Sequence, residues 1–187
     1  MDSYWDAKGL AEHIDRSWTS DAETSARYSE VRALMPYLRY GDILEIGCGS
    51  GRIYETLRAA GILQKGRRYV GVDSSREMLK IAISRFPETT FLERDAMDLG
   101  DLSAPNVICI HVLQHVEDYT LILRELWRVS TNLVYIASWF GPETLITKTE
   151  YGYWDNVISV SEIVAEIRRL GPSRIVRTPT GALAVSK

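Results

Sequence analysis

The chain has 187 residues, 45% of them hydrophobic and 25% charged, which suits one globular domain with a sizeable core and leaves no room for a second full domain. A formal net charge of -3 without any run of five basic residues gives no general attraction for a phosphate backbone, so nucleic acid is disfavoured as a partner. Two cysteines, Cys48 and Cys109, make neither a disulfide framework nor a zinc cluster, and no apolar stretch approaches the roughly 20 residues that cross a bilayer.

The opening Met1-Asp2-Ser3-Tyr4-Trp5-Asp6 lacks a basic region followed by an apolar one, so a cytoplasmic protein that stays off membranes is expected. After this irregular, Trp-bearing start, apolar residues at helical spacing (Ala26, Val31, Leu34, Leu38) predict a leading helix over 22–39, interrupted near its end by Pro36. Residues 1–40 would then form a helical cap. A first strand runs from Asp42 to Ile46, and a helix from about Arg52 to Ala60 is stopped by Gly61. A second strand, Tyr69 to Val72, ends at Asp73; Ser74 or Ser75 can cap the next helix, which reaches about Arg85 before Phe86-Pro87.

The third strand is Thr90 to Glu93, followed closely by Asp95, and the fourth, Val107 to His111, is apolar enough to be buried on both faces. A helix from about Asp118 to Val129 leads to a fifth strand, Leu133 to Ala137. Residues 138–157 carry several aromatic side chains and little periodicity, which reads as a long loop or partly helical lid. Ser159 and Glu162 form a Ser-x-x-Glu capping box for a helix ending at Leu170, and two strands, Arg174 to Arg177 and Leu183 to Ser186, are joined by a Thr-Pro-Thr-Gly turn. Such alternation predicts an α/β fold: a Rossmann-like, seven-stranded, mostly parallel sheet with helices on both faces and an antiparallel terminal strand.

In sheets of this kind ligands bind at the carboxyl ends of the strands. There the first strand breaks into Gly47, Gly49 and Gly51, spaced G-x-G-x-G rather than the G-x-G-x-x-G of dinucleotide sites. Asp73 can accept from a ribose diol, or simply cap a helix. Asp95 can accept an adenine amino proton while Met97 packs on the ring, or can be an ordinary loop residue. An adenosine without phosphates suits these parts.

Residues 40–140 resemble the class I S-adenosylmethionine-dependent methyltransferases, in particular the small type 11/12-like group. Glu45-Ile-Gly-Cys-Gly-Ser-Gly51 matches the glycine motif of that family, Val70-Gly-Val-Asp-Ser-Ser75 with Met78-Leu79 its ribose motif, and Arg94-Asp-Ala-Met97 its adenine motif. His111-Val-Leu-Gln-His-Val-Glu-Asp118 is similar to its fourth-strand exit. The resemblance implies S-adenosyl-L-methionine as cofactor and S-adenosyl-L-homocysteine as product. It places Gly47, Cys48, Gly49 and Gly51 near the methionine part, with Glu45 ordering the loop. Asp73 and its neighbour Ser74, with Met78, would serve the ribose side, Asp95, Ala96 and Met97 the adenine, and Ile110 or His111 the sulfonium. Arg52 reads equally well as a surface residue or a cofactor contact.

Transfer to a hydroxyl or a protonated amine requires removal of a proton, and a histidine at the pocket edge suits that task. His111 is favoured as the base, with His115 the other candidate and a structural role open for both. Trp5, Trp18, His115, Trp139, Tyr151, Tyr153 and Trp154 are candidates to line an aromatic acceptor pocket or, equally, to anchor the lid. No metal site is indicated, and the oligomeric state is not legible. The expected activity is methyl transfer to oxygen, nitrogen or carbon of a small molecule. Protein or RNA methylation, an inactive cofactor-binding module, and a nicotinamide oxidoreductase are the competing readings.

Overall fold

The structure is a computed structural model that describes residues 4–7, 9–64, 66–150 and 152–187. Its elements in chain order are α1 (Leu10–Ser17), α2 (Asp21–Leu34), β1 (Ile43–Ile46), α3 (Arg52–Ala59), β2 (Tyr69–Asp73), α4 (Arg76–Arg85), β3 (Thr90–Glu93), β4 (Ala104–Ile110), α5 (Tyr119–Val129), β5 (Ser130–Ala137), β6 (Phe140–Gly141), β7 (Ile158–Ser159), α6 (Val160–Arg169), β8 (Arg174–Arg177) and β9 (Leu183–Ser186). Seven strands form one sheet in the order β3-β2-β1-β4-β5-β9-β8. β1 pairs in parallel with both β2 and β4, and β9 enters antiparallel beside β5. The chain order reverses between β1 and β4, which opens a crevice at the carboxyl ends of those strands.

Alternation along the central strands sends side chains into two cores. Leu44 and Ile46 of β1 join Val107 and Cys109 of β4 under α5 and α6, where Ile122, Leu126, Ile163 and Ile167 are buried. On the other face Ile43, Ile108 and Ile110 meet Val31 and Leu34 of α2 and Ile53 and Leu57 of α3. Burial on both faces explains why these strands read as continuous apolar runs. Side-chain caps start the helices: Ser75 Oγ accepts from Met78 N at 3.2 Å, and Asp118 Oδ1 from Thr120 N at 2.8 Å.

Three local expectations need correction. The described part of the opening before residue 22 has regular structure: α1 fills Leu10–Ser17, and its buried face includes a carboxylate, Asp15, which breaks the apolar pattern by which a helix is recognised. The leading helix ends at Leu34 and continues as a 3-10 turn through Met35–Tyr37, where Pro36 cannot donate. Among its described residues the 138–157 segment contains no helix, which removes the partly helical alternative and leaves the long loop. It is an irregular β excursion in which β6 pairs with β7 and bridges join Leu145 to Val157 and Lys148 to Trp154. Fully buried Asn156 holds its base: its N–H donates to Gln114 O (2.9 Å), its Nδ2 to Val116 O (2.6 Å), and its Oδ1 accepts from Thr147 N (2.9 Å). The capping box is relayed, because Ser159 N donates to Thr144 Oγ1 and that hydroxyl donates to Glu162.

Candidate functional site

The glycine turn is built by close approaches. Gly47 N and Cys48 N both donate to Val72 O, at 2.7 and 2.9 Å, tying the turn to β2. Gly47 has φ 75°, and a Cβ there would lie 2.1 Å from Val112 Cγ2, in the segment that leaves β4. Gly51 also has a positive φ, 81°, and a Cβ there would press within 3.1 Å of the Phe86 ring at the end of α4, so its bareness lets the start of α3 pack close to that ring. The Cys48 side chain turns away from the crevice, into the space left by Gly71, and burial pushes its thiol pKa up.

Asp73 closes the same turn from β2. Its Oδ2 accepts from Gly49 N and its Oδ1 from Ser75 N, each at 2.8 Å. Burial raises its pKa against the lowering effect of these N–H groups. Asp95 accepts from Met97 N at 2.8 Å through Oδ1. A cavity of about 160 Å³ lies among these groups. Gly47, Gly49, Asp73, Ser74, Met78, Asp95, Ala96 and His111 all line it, together with Val112, Val116, Trp5 and Trp18.

Glu45, Cys48, Gly51, Met97 and Ile110 do not line the cavity. Glu45 is buried on β1 and receives a hydrogen bond from the Tyr69 hydroxyl; burial raises its pKa to about 8, so it is a neutral acid near pH 7. Ile110 belongs to the core beneath α2 and α3, and Met97 is 40% exposed on the flank. A larger groove of about 630 Å³ sits at the amino ends of the strands, away from all of these residues. Its charged walls are already paired, Arg68 with Asp42 and Glu88 with Arg58.

The N-terminal segment fastens onto this rim. Asp15, only 8% exposed, accepts from Ser50 Oγ (2.6 Å), from Arg52 Nε and Nη2 (both 2.9 Å) and from Arg85 Nη2 (2.6 Å). These donors hold its carboxyl below the usual range despite burial. Arg52 is therefore neither a free surface residue nor part of the cavity wall; it clamps α1 to the glycine turn. One turn earlier, Asp6 Oδ1 accepts from Glu77 N at 3.4 Å and lies 2.9 Å from Ser75 Oγ, so the turn that carries Trp5 rests on the start of α4. Asp15 was missed as a site residue. The partners of Asp15 lie 35 to 70 residues away in sequence, and no local pattern announces them.

Both candidate histidines line the cavity. His111 has φ 57°, a left-handed conformation uncommon outside glycine, and its N–H donates to Ala137 O at 2.8 Å. His115 has Nδ1 3.0 Å from Trp154 O. Burial presses the pKa values of both rings below the ordinary histidine value. His115 is ringed by aromatics, with centroids 5.0 Å from Trp5, 5.9 Å from Trp139 and 6.1 Å from Tyr153. Of the expected acceptor-side residues, Trp5, Trp18 and His115 line the cavity, Trp139 and Tyr153 pack on the His115 ring, Trp154 meets it through its carbonyl while its own ring lies under Lys148, and Tyr151 lies outside the described residues. Among the described residues no group of three or more His, Cys, Asp or Glu could hold a metal ion, and no helix is long and apolar enough to cross a membrane.

Residues 44–135 match the family model described as a methyltransferase domain. No curated protein matches the sequence. Among solved structures, DhpI in complex with SAH is 22% identical with a TM-score of 0.71, covering 98% of this chain and 92% of its own. SAM-bound CalS10, an amino pentose methyltransferase of calicheamicin biosynthesis from Micromonospora echinaspora, is 13% identical with a TM-score of 0.69, covering 95% and 96%. A chain of the Haloferax volcanii complex between the Trm112 methyltransferase activator and a putative methyltransferase is 20% identical with a TM-score of 0.68, covering 100% and 97%. At such identities the likeness speaks for the fold.

Proposed function

We propose that the chain is a class I S-adenosylmethionine-dependent methyltransferase, carried by its match to a methyltransferase domain, and that it transfers a methyl group to oxygen, nitrogen or carbon of a small-molecule acceptor. One observation carries the assignment of the site: Gly49, Asp73 and the Asp95-Ala96 pair, from the ends of three neighbouring strands, face a single cavity. Ile46, Val72, Met78 and Ala96 make an apolar bed beside two carboxylates, the complement of a nucleoside that carries no phosphate.

Each Asp73 oxygen already accepts one N–H and has a further lone pair for a ribose hydroxyl. Asp95 and the Ala96 N–H would meet the adenine edge with Met97 folding over the ring, Ser74 and Met78 would flank the sugar, and the Gly47 and Gly49 main chain would face the methionine part. Cys48, Gly51, Glu45 and Ile110 would act from behind, by shaping the turn and the strand ends. The cofactor supplies an electrophilic methyl group on a sulfonium; the residues around it orient the acceptor and exclude water. The cavity is below the roughly 300–1,000 Å³ of ligand pockets, so its walls must move apart when the cofactor enters.

The acceptor reaches the site past Trp5, Trp18 and the aromatic edge of the 138–157 lid, while residues 1–40 serve as the cap of a single domain. The amino pentose methyltransferase among the similar structures supports a small acceptor. The net charge of -3 weighs against RNA. Two buried free thiols suit a reducing cytoplasm. Labelled methyl from the cofactor, offered with a fractionated cell extract, should enter the small-molecule fraction; label confined to protein or RNA would overturn the proposed acceptor class.

A further inference from the structure

The proposal that follows rests on the methyl-transfer reading above and narrows its acceptor chemistry. We propose that His115, and not His111, is the general base, presenting the Nε2 lone pair to the cavity, and that the acceptor atom is a hydroxyl oxygen or an amine nitrogen that must lose a proton. The geometry begins with the 3.0 Å contact between Nδ1 and the Trp154 carbonyl. A carbonyl oxygen only accepts, so the proton of the neutral ring sits on Nδ1 and the lone pair on Nε2. Nδ1 is turned to the lid, the ring lines the cavity, and Nε2 is its remaining polar atom.

Both sides of that hydrogen bond are held. The lid strand carrying Trp154 bridges to Lys148, and Asn156, two residues on, is bonded to Gln114 and Val116 on either side of His115. Gln114 is itself bonded to Ser138 at 2.8 Å. Trp5, Trp139 and Tyr153 then exclude water from the ring faces. Burial keeps the imidazole neutral, as a base must be before it acts. The groups facing it are Tyr153, the Asp155 carboxylate of the lid and His111 at the end of β4; Asp6 on the Trp5 turn is engaged with Ser75 and Glu77. Among the described residues no hydrogen bond orients the ring of His111.

In the transfer, Nε2 takes the acceptor's proton as the acceptor atom bonds to the methyl carbon. The electron pair of the breaking carbon–sulfur bond returns to sulfur, and the imidazolium later gives its proton to water. Charge is conserved, and no further reactant is needed.

Three measurements test this. Nitrogen NMR of the ¹⁵N-labelled protein should show His115 as the Nδ1-protonated tautomer at neutral pH. Diethylpyrocarbonate should carbethoxylate His115 at Nε2, more slowly when S-adenosylhomocysteine is present, with exposed His13 as the internal control. His115→Asn keeps a donor near the Nδ1 position, so it should bind S-adenosylhomocysteine within about twofold of wild type while losing about 10²-fold or more of transfer into the small-molecule fraction. An Nε2-protonated tautomer, a His115 inert while His13 reacts, or an Asn variant transferring at the wild-type rate would each overturn the proposal. Failure to bind S-adenosylhomocysteine would instead strike the methyl-transfer reading and leave the tautomer and reagent results standing.

Discussion

Around Asp73 the rim is held by main-chain groups within a few residues of the strand ends, with Gly49 and Ser75 N–H on its carboxylate and Val72 O gathering the glycine turn. Around His115 it is assembled from segments far apart in sequence: Trp5 from the first turn, the exit of β4, and Trp139, Tyr153 and Trp154 from the lid. The first half is rigid because its backbone has no freedom left. The second is joined by ring contacts and by hydrogen bonds between segments distant in sequence. A cofactor shared by many enzymes and an acceptor particular to one are suited to those two constructions.

The sharpest way to break the comparison is to disturb the rigid half. Gly47→Ala places a Cβ against Val112, a stiff β-branched side chain, at a φ that alanine rarely adopts. Binding of S-adenosylhomocysteine, followed by calorimetry, should fall by about 100-fold or more, whereas an affinity near wild type would mean that the turn yields easily. Next in size is the clamp between the halves. Asp15→Asn removes the carboxylate facing two arginines and should lower the unfolding free energy by about 3 kcal/mol in a denaturant titration. The wild-type carboxyl has a lowered pKa, so its contribution is present above the unfolded value near 4 and is lost as pH falls through the folded value.

Glu45 behaves in the opposite sense and should give the smallest effect at low pH. Its folded pKa of about 8 lies above the unfolded carboxyl value, so its contribution is complete below that lower value and is lost as pH rises toward 8. Melting curves of Glu45→Gln should match wild type near pH 4.5 and drift above it toward pH 8. Parallel curves across that range would show that Glu45 is ionised in the fold.

The local half of the site was also the legible half. Glycine spacing, the acidic residue ending β2 and the Ser75 cap are neighbours in sequence, and their geometry follows from the strand-to-helix turn they occupy. Even there, a Cβ at Gly51 would meet the Phe86 ring and Glu45 sits behind the turn, where burial raises its pKa, because a motif shows proximity and not the direction a side chain takes. The rest depends on tertiary meetings. Asp15 reads as one more charge on a short amphipathic helix until Arg52 and Arg85 arrive, and α1 escaped notice for the same reason. The lid lacks a helical period because its order comes from Asn156 and two bridges, none of which leaves a repeat in the sequence.

Titration of the purified protein with S-adenosylhomocysteine, followed by the fluorescence of Trp5 and Trp18, tests the central claim most directly. Saturable binding, weakened tenfold or more by Asp73→Asn and absent with NADH, is the predicted result. No response to the thioether alongside tight NADH binding, or an Asp73→Asn variant that binds as wild type does, would contradict it.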